Sequence, residues 1–142
     1  MYLLDTNVVS ELRKTRSGRA DPRVVAWARP IALAGLFISA ITLLELDIGV
    51  GRIERRDAAA GRVLRRWLDQ DVVRAFHGRI LPVDVAVARR CAPLHAPDPR
   101  PDRDALIAAT ALVHALTVVT RSVADFSGAG VPLLDPWQAV PA

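Results

Sequence analysis

The sequence has little of several residues on which particular protein classes depend. Cys91 is the only cysteine, so an internal disulfide and a cysteine-based zinc cluster are both excluded. Aromatic residues make up only 5% of the chain, which favours helices packed on a sheet over an aromatic-rich β sandwich. The longest apolar run, Ile31 to Leu44, is shorter than the roughly 20 residues that a membrane-spanning helix needs. A protein outside the membrane and without disulfides is therefore expected.

Length and hydrophobicity bound the architecture. A chain of 142 residues, 51% of them hydrophobic, is long enough to bury most of its apolar surface in one core, so a single domain over residues 1–142 is predicted. The mean hydropathy of +0.23 excludes a disordered chain. The first residues have neither the basic stretch nor the apolar run of a signal peptide, which predicts a cytoplasmic protein.

Lysine is almost absent, while arginine is abundant. Lys14 is the one lysine among 19 basic residues, and the net charge is +4. Arginine forms bidentate contacts with phosphate, so its excess fits a polyanionic partner. A GC-rich genome, which inflates both arginine and alanine, explains the excess equally well. Charge alone therefore does not define a function.

Short apolar runs alternate with helical segments along the chain. Strands are predicted at Met1–Leu4, Leu36–Ser39, Ile80–Val83, Thr117–Thr120 and, at an edge, Val131–Leu134. Helices are predicted from Asn7 to about Lys14 with Thr6 as cap, from Pro22 through Trp27 with Asp21 as cap, and from about Ile41 to Ile48, where Gly49 and Gly51 stop the helix. Further helices are predicted from Glu54 to about Arg74, after the cap Asp84 to about His95, and from Asp102 or Arg103 to Leu116. Repeated strand–helix units predict an α/β fold with a mostly parallel sheet and helices on both faces.

Four acidic residues stand where strands end or helices begin: Asp5, Glu45, Asp104 and Asp125. Ligands of an open parallel sheet bind at the carboxyl ends of its strands, where three of these acids are expected. Asp104 joins them only if its helix begins near that edge. Carboxylates brought close together repel one another, and a divalent metal relieves the repulsion. The pattern predicts a metal site of the kind that serves phosphodiester hydrolysis.

Each acid has a simpler explanation. Asp5 is also a good cap for the first helix, Asp104 is a first-turn carboxylate favoured by the helix dipole, and Asp125 fits a solvated loop. Glu45 is harder to explain, because on a helical wheel it falls beside Ile41, Leu44 and Ile48, on the apolar side of its helix. No basic residue lies within one turn of it, so a metal or a shared proton is the expected partner.

The segments around these acids resemble the four motifs of the PIN-domain family, specifically its VapC and FitB-like ribonuclease toxins. The matching segments are Leu3–Leu12, Ser39–Leu46, Asp104–Ala111 and Thr120–Phe126, in the family's order and spacing. Ser122 departs from the family pattern, since an asparagine is common there, and this weakens any inference about that loop's hydrogen bonds.

The resemblance implies a PIN-like α/β/α sandwich with about five strands in a central, mostly parallel sheet. It also implies Mg²⁺- or Mn²⁺-dependent endonucleolytic cleavage of RNA, with Asp5, Glu45, Asp104 and Asp125 as the catalytic, metal-binding acids. Thr6, Ser39 and Thr120 carry over as polar supports. The implied partners are a small VapB-like antitoxin, a second copy of the chain in a homodimer, and higher toxin–antitoxin assemblies, with promoter DNA contacted only through the antitoxin.

Rival functions fit less well. A haloacid-dehalogenase-like phosphatase needs a second acid at the position where Asn7 stands. A receiver domain needs a lysine on a late strand, and the only lysine here is Lys14. None of the three histidines lies in an acidic motif, so a two-histidine ribonuclease mechanism has no support. The serious alternative is a catalytically silent PIN-like module that binds RNA or a partner.

An arginine-rich segment spanning residues 52–66 is expected to be a solvated helix face or an approach for RNA. An apolar stripe on the same predicted helix is expected to be available to a partner, and it consists of Val63, Leu64, Trp67 and Leu68.

Overall fold

A computed structural model describes residues 1–138 of the chain. Residues 139–142 of the predicted domain lie outside the described part. The strands and helices, in chain order, are β1 Tyr2–Leu4, α1 Thr6–Arg13, α2 Pro22–Ala28, β2 Leu36–Ser39, α3 Ala40–Arg56, α4 Ala58–Arg66, α5 Val73–Ala75, β3 Ile80–Leu81, α6 Val85–Cys91, α7 Asp102–His114, β4 Thr117–Val119 and β5 Leu133–Leu134. Short 3₁₀ segments cover Leu33–Gly35, Ala92–His95 and Val123–Phe126, and a π-helical segment, Trp67–Val72, joins α4 to α5.

The five strands form one parallel sheet in the order β3-β2-β1-β4-β5. Strand β1 is central, and its Tyr2 pairs with Leu36 of β2 on one side and Thr117 of β4 on the other. The predicted α/β/α sandwich with about five strands is confirmed, as is the edge position of the last strand. The parallel order brings the carboxyl ends of β1, β2 and β4 to one edge.

The sheet is buried on both faces, and the alternation of side chains along β1 shows how. Leu3 packs into the apolar core formed with α6 and α7, which includes Ile107. Leu4, the next residue, packs into the opposite core with α1, α2 and α3. Successive residues of a strand point to opposite faces, so each short apolar strand contributes to both cores.

The predicted boundary between the third and fourth helices is wrong. The sequence predicts that the helix stops at Gly49 and Gly51, but α3 continues through both glycines as far as Arg56. The break falls instead at Asp57, whose backbone is extended and whose side chain accepts a hydrogen bond from the amide of Ala60. Burial of an α3 face outweighs the cost of each glycine, about 1 kcal/mol.

Smaller differences have local causes. Helix α1 begins at Thr6, with Asp5 rather than Thr6 as its cap. Strand β3 ends at Leu81, since Pro82 follows. The helix after Asp84 is α-helical only to Cys91 and then tightens to a 3₁₀ turn around Pro93, which lacks an amide donor. No helix within residues 1–138 combines the length and apolarity needed to cross a membrane.

Helices α3 and α4 cross closely at Gly61. A Cβ atom there would lie 2.6 Å from the Cα and 2.7 Å from the Cγ of Glu54. A Gly61→Ala variant is therefore expected to lose about 1–3 kcal/mol of unfolding free energy, because the clash outweighs alanine's better helix propensity. Urea unfolding measures the loss.

Gly51 provides the matched control for this prediction. It lies inside α3, and a Cβ atom added there meets no described atom within 4 Å. Gly51→Ala is expected to raise the unfolding free energy by about 0.5–1 kcal/mol. If both variants are stabilised to a similar extent, the close crossing at Gly61 is refuted.

Candidate active site

Asp5 is fixed at the end of β1 by two hydrogen bonds. Its Oδ1 atom accepts from the amide of Thr6 at 2.8 Å, and its Oδ2 atom accepts from the hydroxyl of Thr120 at 2.8 Å. The residue is 7% exposed. Burial raises the pKa of Asp5, the bonds from Thr120 and Thr6 oppose the rise, and the charges of Glu45 and Asp125 add to it. Asp5 does cap α1, but the second oxygen and the neighbouring acids involve it in more than capping.

Glu45 reaches the same edge from α3, and its two oxygens have different partners. The Oε1 atom accepts a hydrogen bond from the hydroxyl of Thr6 at 2.8 Å. The Oε2 atom lies 3.8 Å from Nη1 of Arg103, which belongs to α7. Thr6 therefore binds Asp5 through its amide and Glu45 through its side chain. The expectation that Glu45 needs a metal or a shared proton missed these two partners, because both are distant in sequence.

The wheel position of Glu45 is also corrected by the structure. The buried residues of α3 are Thr42, Leu46 and Val50, whereas Leu44, expected on the apolar side, is exposed. Glu45 lies at the margin of the buried face, with 25% of its side chain exposed. A glutamate side chain at such a margin is free enough to turn toward a ligand while its helix stays in place.

Asp104 lies in the first turn of α7 and is half-buried. Its pKa is raised to about 6, first by burial and then by the charges of Asp5, Asp125 and Glu45. Asp125 lies in the 3₁₀ segment that follows β4 and is exposed. The structure thus brings all four predicted acids into one electrostatic neighbourhood. The condition that α7 must begin near the sheet edge is met.

The acids interact without forming a compact cluster. Within residues 1–138, no three Asp, Glu, His or Cys side chains stand close enough together to hold a metal ion as they are placed. In the same part of the chain, Arg103 is the only basic residue with a nitrogen within 4.0 Å of any of the four carboxylates. The neighbourhood is therefore strongly acidic, with one loosely placed cation.

The three predicted polar supports differ in what they contact. Thr6 and Thr120 donate hydroxyl hydrogen bonds to the carboxylates of Glu45 and Asp5, respectively. Ser39 is fully buried and its hydroxyl oxygen accepts from the amide of Ile41, so it caps α3. Ser39 positions the helix that carries Glu45, whereas the two threonines position the carboxylates themselves.

Asn7 is a site residue that the sequence reasoning missed. Its Nδ2 atom lies 3.4 Å from the hydroxyl of Thr120 and 3.3 Å from that of Ser122, and its Oδ1 atom accepts from the amide of Arg121 at 3.3 Å. Asn7 thus joins α1 to the loop after β4. Its place two residues after Asp5, on the first turn of the same helix, was a signal that could have identified it. Ser122, the departure from the family pattern, takes part in this network.

Arg65, Leu68 and His95 have structural contacts away from the acid site. Arg65 bridges α4 to α3 through Asp47 at 2.7 Å and Glu54 at 2.9 Å, so at least one arginine of the 52–66 segment stabilises the fold. Within the apolar stripe predicted for a partner, Leu68 is buried in the core and Val63 is exposed. His95 accepts a hydrogen bond from the amide of Arg100 through Nδ1, which is consistent with a structural role.

Fold and site together define a parallel α/β protein that gathers four carboxylates at the carboxyl edge of its sheet. The model of the PIN domain matches residues 2–123, and the chain belongs to the PIN-domain family. The predicted family resemblance is therefore confirmed.

Curated relatives and solved structures match nearly the whole chain. Toxin FitB of Neisseria gonorrhoeae is 39% identical over 97% of this chain and 99% of its own length. VapC ribonuclease Y4jK of Sinorhizobium fredii is 36% identical over the same shares. The crystal structure of FitAcB from Neisseria gonorrhoeae superposes with a TM-score of 0.88 at 38% identity, covering 98% of this chain and all of that one. A structure of FitAB bound to an IR36 DNA fragment gives a TM-score of 0.87 at 35% identity, covering 99% of each chain.

Proposed function

We propose that this protein is a Mg²⁺- or Mn²⁺-dependent endoribonuclease that acts as the toxin of a type II toxin–antitoxin module. The observation that carries the proposal is the placement of Asp5 and Glu45 at one edge, where both contact Thr6 and where the charges of Asp5, Glu45 and Asp125 all raise the pKa of Asp104. Two relatives named as a toxin and as a ribonuclease match almost the whole chain, which supports the same function.

The four acids fit a hard divalent cation by their chemistry. All are oxygen donors, which Mg²⁺ and Mn²⁺ prefer, and their mutual repulsion is the condition that a cation relieves. Asp5, Glu45 and Asp104 would hold the principal ion, and Asp125 would complete the site or help to hold a second ion. When bound, the metal lowers the pKa of water and offsets charge on the phosphate.

The surrounding side chains prepare this site. Thr120 and the amide of Thr6 hold Asp5 in one orientation, so its carboxylate loses little freedom on binding. The hydroxyl of Thr6 directs Glu45 toward the same edge. Burial and the charges of the three other acids raise the pKa of Asp104 to about 6, and a divalent cation held by these carboxylates would relieve that repulsion. Asn7 holds the loop that carries Thr120 and leads to Asp125.

The proposal includes the partners that the resemblance implies. A small VapB-like antitoxin would neutralise the toxin, and promoter DNA would be contacted only through that antitoxin. The solved FitAB assembly, bound to a DNA fragment, supports this arrangement. A homodimer, higher toxin–antitoxin assemblies and a cytoplasmic location complete the proposal.

Cleavage of RNA by the purified chain tests the proposed activity. A labelled RNA incubated with the protein is expected to be cut in Mg²⁺ or Mn²⁺, to stay intact in excess EDTA, and to be cut again when metal is restored. Sequencing of the new ends would identify the sites. RNA that is bound but stays intact in both metals would support the alternative, a catalytically silent module.

A further inference from the structure

Arg103 lies beside the acid site and forms a loose ion pair with Glu45. It immediately precedes Asp104 on α7, and its Nη1 atom lies 3.8 Å from Oε2 of Glu45. This distance is longer than a hydrogen bond of 2.7–3.2 Å. About half of the Arg103 side chain is exposed, at 52%. The pair is therefore loose and easily separated.

The loose pair does little for the acids as they stand. Glu45 already accepts a hydrogen bond from Thr6 on its other oxygen. The pKa of Asp104, the next residue along the chain, is raised by burial and by three acids, and no cation lowers it. Arg103 therefore leaves most of the acidic charge uncompensated, so neutralising the acids does not explain its position.

We propose that Arg103 binds a phosphate group of the RNA at the acid site, and that it is freed for this when Glu45 turns to a divalent ion. The proposal rests on the proposed ribonuclease function and names a substrate-binding residue for that same site. The guanidinium offers a planar fork of donors that matches two phosphate oxygens, which a point charge does not. The Glu45 carboxylate now lies 3.8 Å from that fork, and its negative charge repels a phosphate there until Glu45 turns away. Both side chains are partly exposed, so both can move.

RNA binding is the first test. Fluorescence anisotropy of a short single-stranded RNA is measured over a range of NaCl concentrations, with Ca²⁺ present and again with EDTA, and gels confirm that the RNA stays intact. Arg103→Gln is expected to weaken binding about tenfold in Ca²⁺ and to lower the slope of log K against log salt by about 0.7. In EDTA the variant and the wild type are expected to bind alike. Arg103→Lys is expected to recover only part of the loss.

Arg90→Gln is the matched control. Arg90 is exposed near the end of α6, and it forms no ion pair with any residue in the 1–138 range. The variant changes the net charge by the same amount at another helical position. Its RNA binding and its salt slope are expected to match those of the wild type within error.

Metal binding is the second test. Arg103→Gln is expected to raise the affinity for a divalent ion, whereas it lowers the affinity for RNA. Removal of a nearby positive charge should strengthen binding of a divalent ion, so Arg103→Gln is expected to bind Mn²⁺ about three- to tenfold more tightly. Electron paramagnetic resonance of free Mn²⁺ measures this without RNA. Arg90→Gln is again expected to leave the affinity unchanged.

The outcomes separate this proposal from the proposed function. If Arg103→Gln binds RNA in Ca²⁺ as tightly as the wild type, the proposal is overturned. If Arg103→Gln loses RNA affinity equally in Ca²⁺ and in EDTA, Arg103 is available to phosphate without metal. That result overturns the proposal that Arg103 exchanges Glu45 for phosphate when Glu45 turns to a divalent ion. If the wild type binds Mn²⁺ and cuts RNA, either failure concerns Arg103 alone. If the wild type does neither, the ribonuclease function fails and this proposal fails with it.

Discussion

An Asp104→Asn variant is expected to lose RNA cleavage by at least about 10²-fold while its thermal stability stays the same or rises. The substitution keeps the shape of the side chain but removes a charged oxygen donor for the proposed metal ion. It also removes the repulsion from Asp5, Asp125 and Glu45 that raises the pKa of Asp104. Cleavage rates in Mg²⁺ and thermal unfolding in EDTA measure the two effects.

The raised pKa of Asp104 also sets a pH dependence. The folded protein binds the Asp104 proton more strongly than the unfolded chain, because the pKa rises from 3.8 to about 6 on folding. The unfolding free energy in EDTA is therefore expected to fall as pH rises from about 4 to about 6, by about 1–2 kcal/mol after allowance for partial exposure to solvent. The fall attributable to this residue should be absent in Asp104→Asn.

Asp102→Asn is the control for Asp104→Asn. Asp102 lies in the same first turn of α7, but its side chain is 89% exposed and its charge is not among the causes of the raised Asp104 pKa. The control variant is expected to cut RNA at nearly the wild-type rate. Full cleavage by Asp104→Asn, or an equal loss in both variants, would refute the assigned role of Asp104.

A Thr120→Val variant is expected to lose about 2–4 kcal/mol of unfolding free energy and much of its cleavage activity. The hydroxyl of Thr120 donates to Asp5 and accepts from the amide of Ser122, at 2.8 and 2.9 Å. Valine has the same shape but makes neither bond, so a buried carboxylate oxygen and a loop amide both lose their partner. Urea unfolding and cleavage assays in parallel measure the two losses.

Thr42→Val is the control for Thr120→Val, because it makes the same substitution at a buried threonine whose hydroxyl forms no such bonds within residues 1–138. Thr42 and Thr120 are both 0% exposed, but the hydroxyl of Thr42 has no hydrogen-bond partner among the described residues. Replacing it by valine is expected to leave the unfolding free energy unchanged or to raise it by up to about 1 kcal/mol. If the two variants are destabilised equally, the bond to Asp5 contributes nothing to stability.

The sequence was sufficient for the features that depend on local pattern. Apolar runs of three or four residues, most of them followed by a helix signal, predicted the parallel sheet, and the four motifs in order predicted the family. Asp21 and Asp84 were predicted as helix caps from their positions alone, and both side chains accept the expected amide hydrogen bonds.

What the sequence did not predict depends on contacts between distant segments. The continuation of α3 past two glycines depends on burial against the rest of the protein, which outweighs local propensity. The partners of Glu45 come from residues 6 and 103, so no window around the glutamate could contain them. Asn7 acts on the loop after β4, more than 110 residues later.

The pairing of β4 with the central strand β1 has a consequence for how the protein is made. Asp5 and Glu45 are synthesised well before Thr120 and Asp125, and before the strand that orders these two residues beside β1. Chains fold from the N-terminus as they leave the ribosome. A growing chain therefore cannot complete the proposed acid site until β4 has been synthesised and has paired with β1.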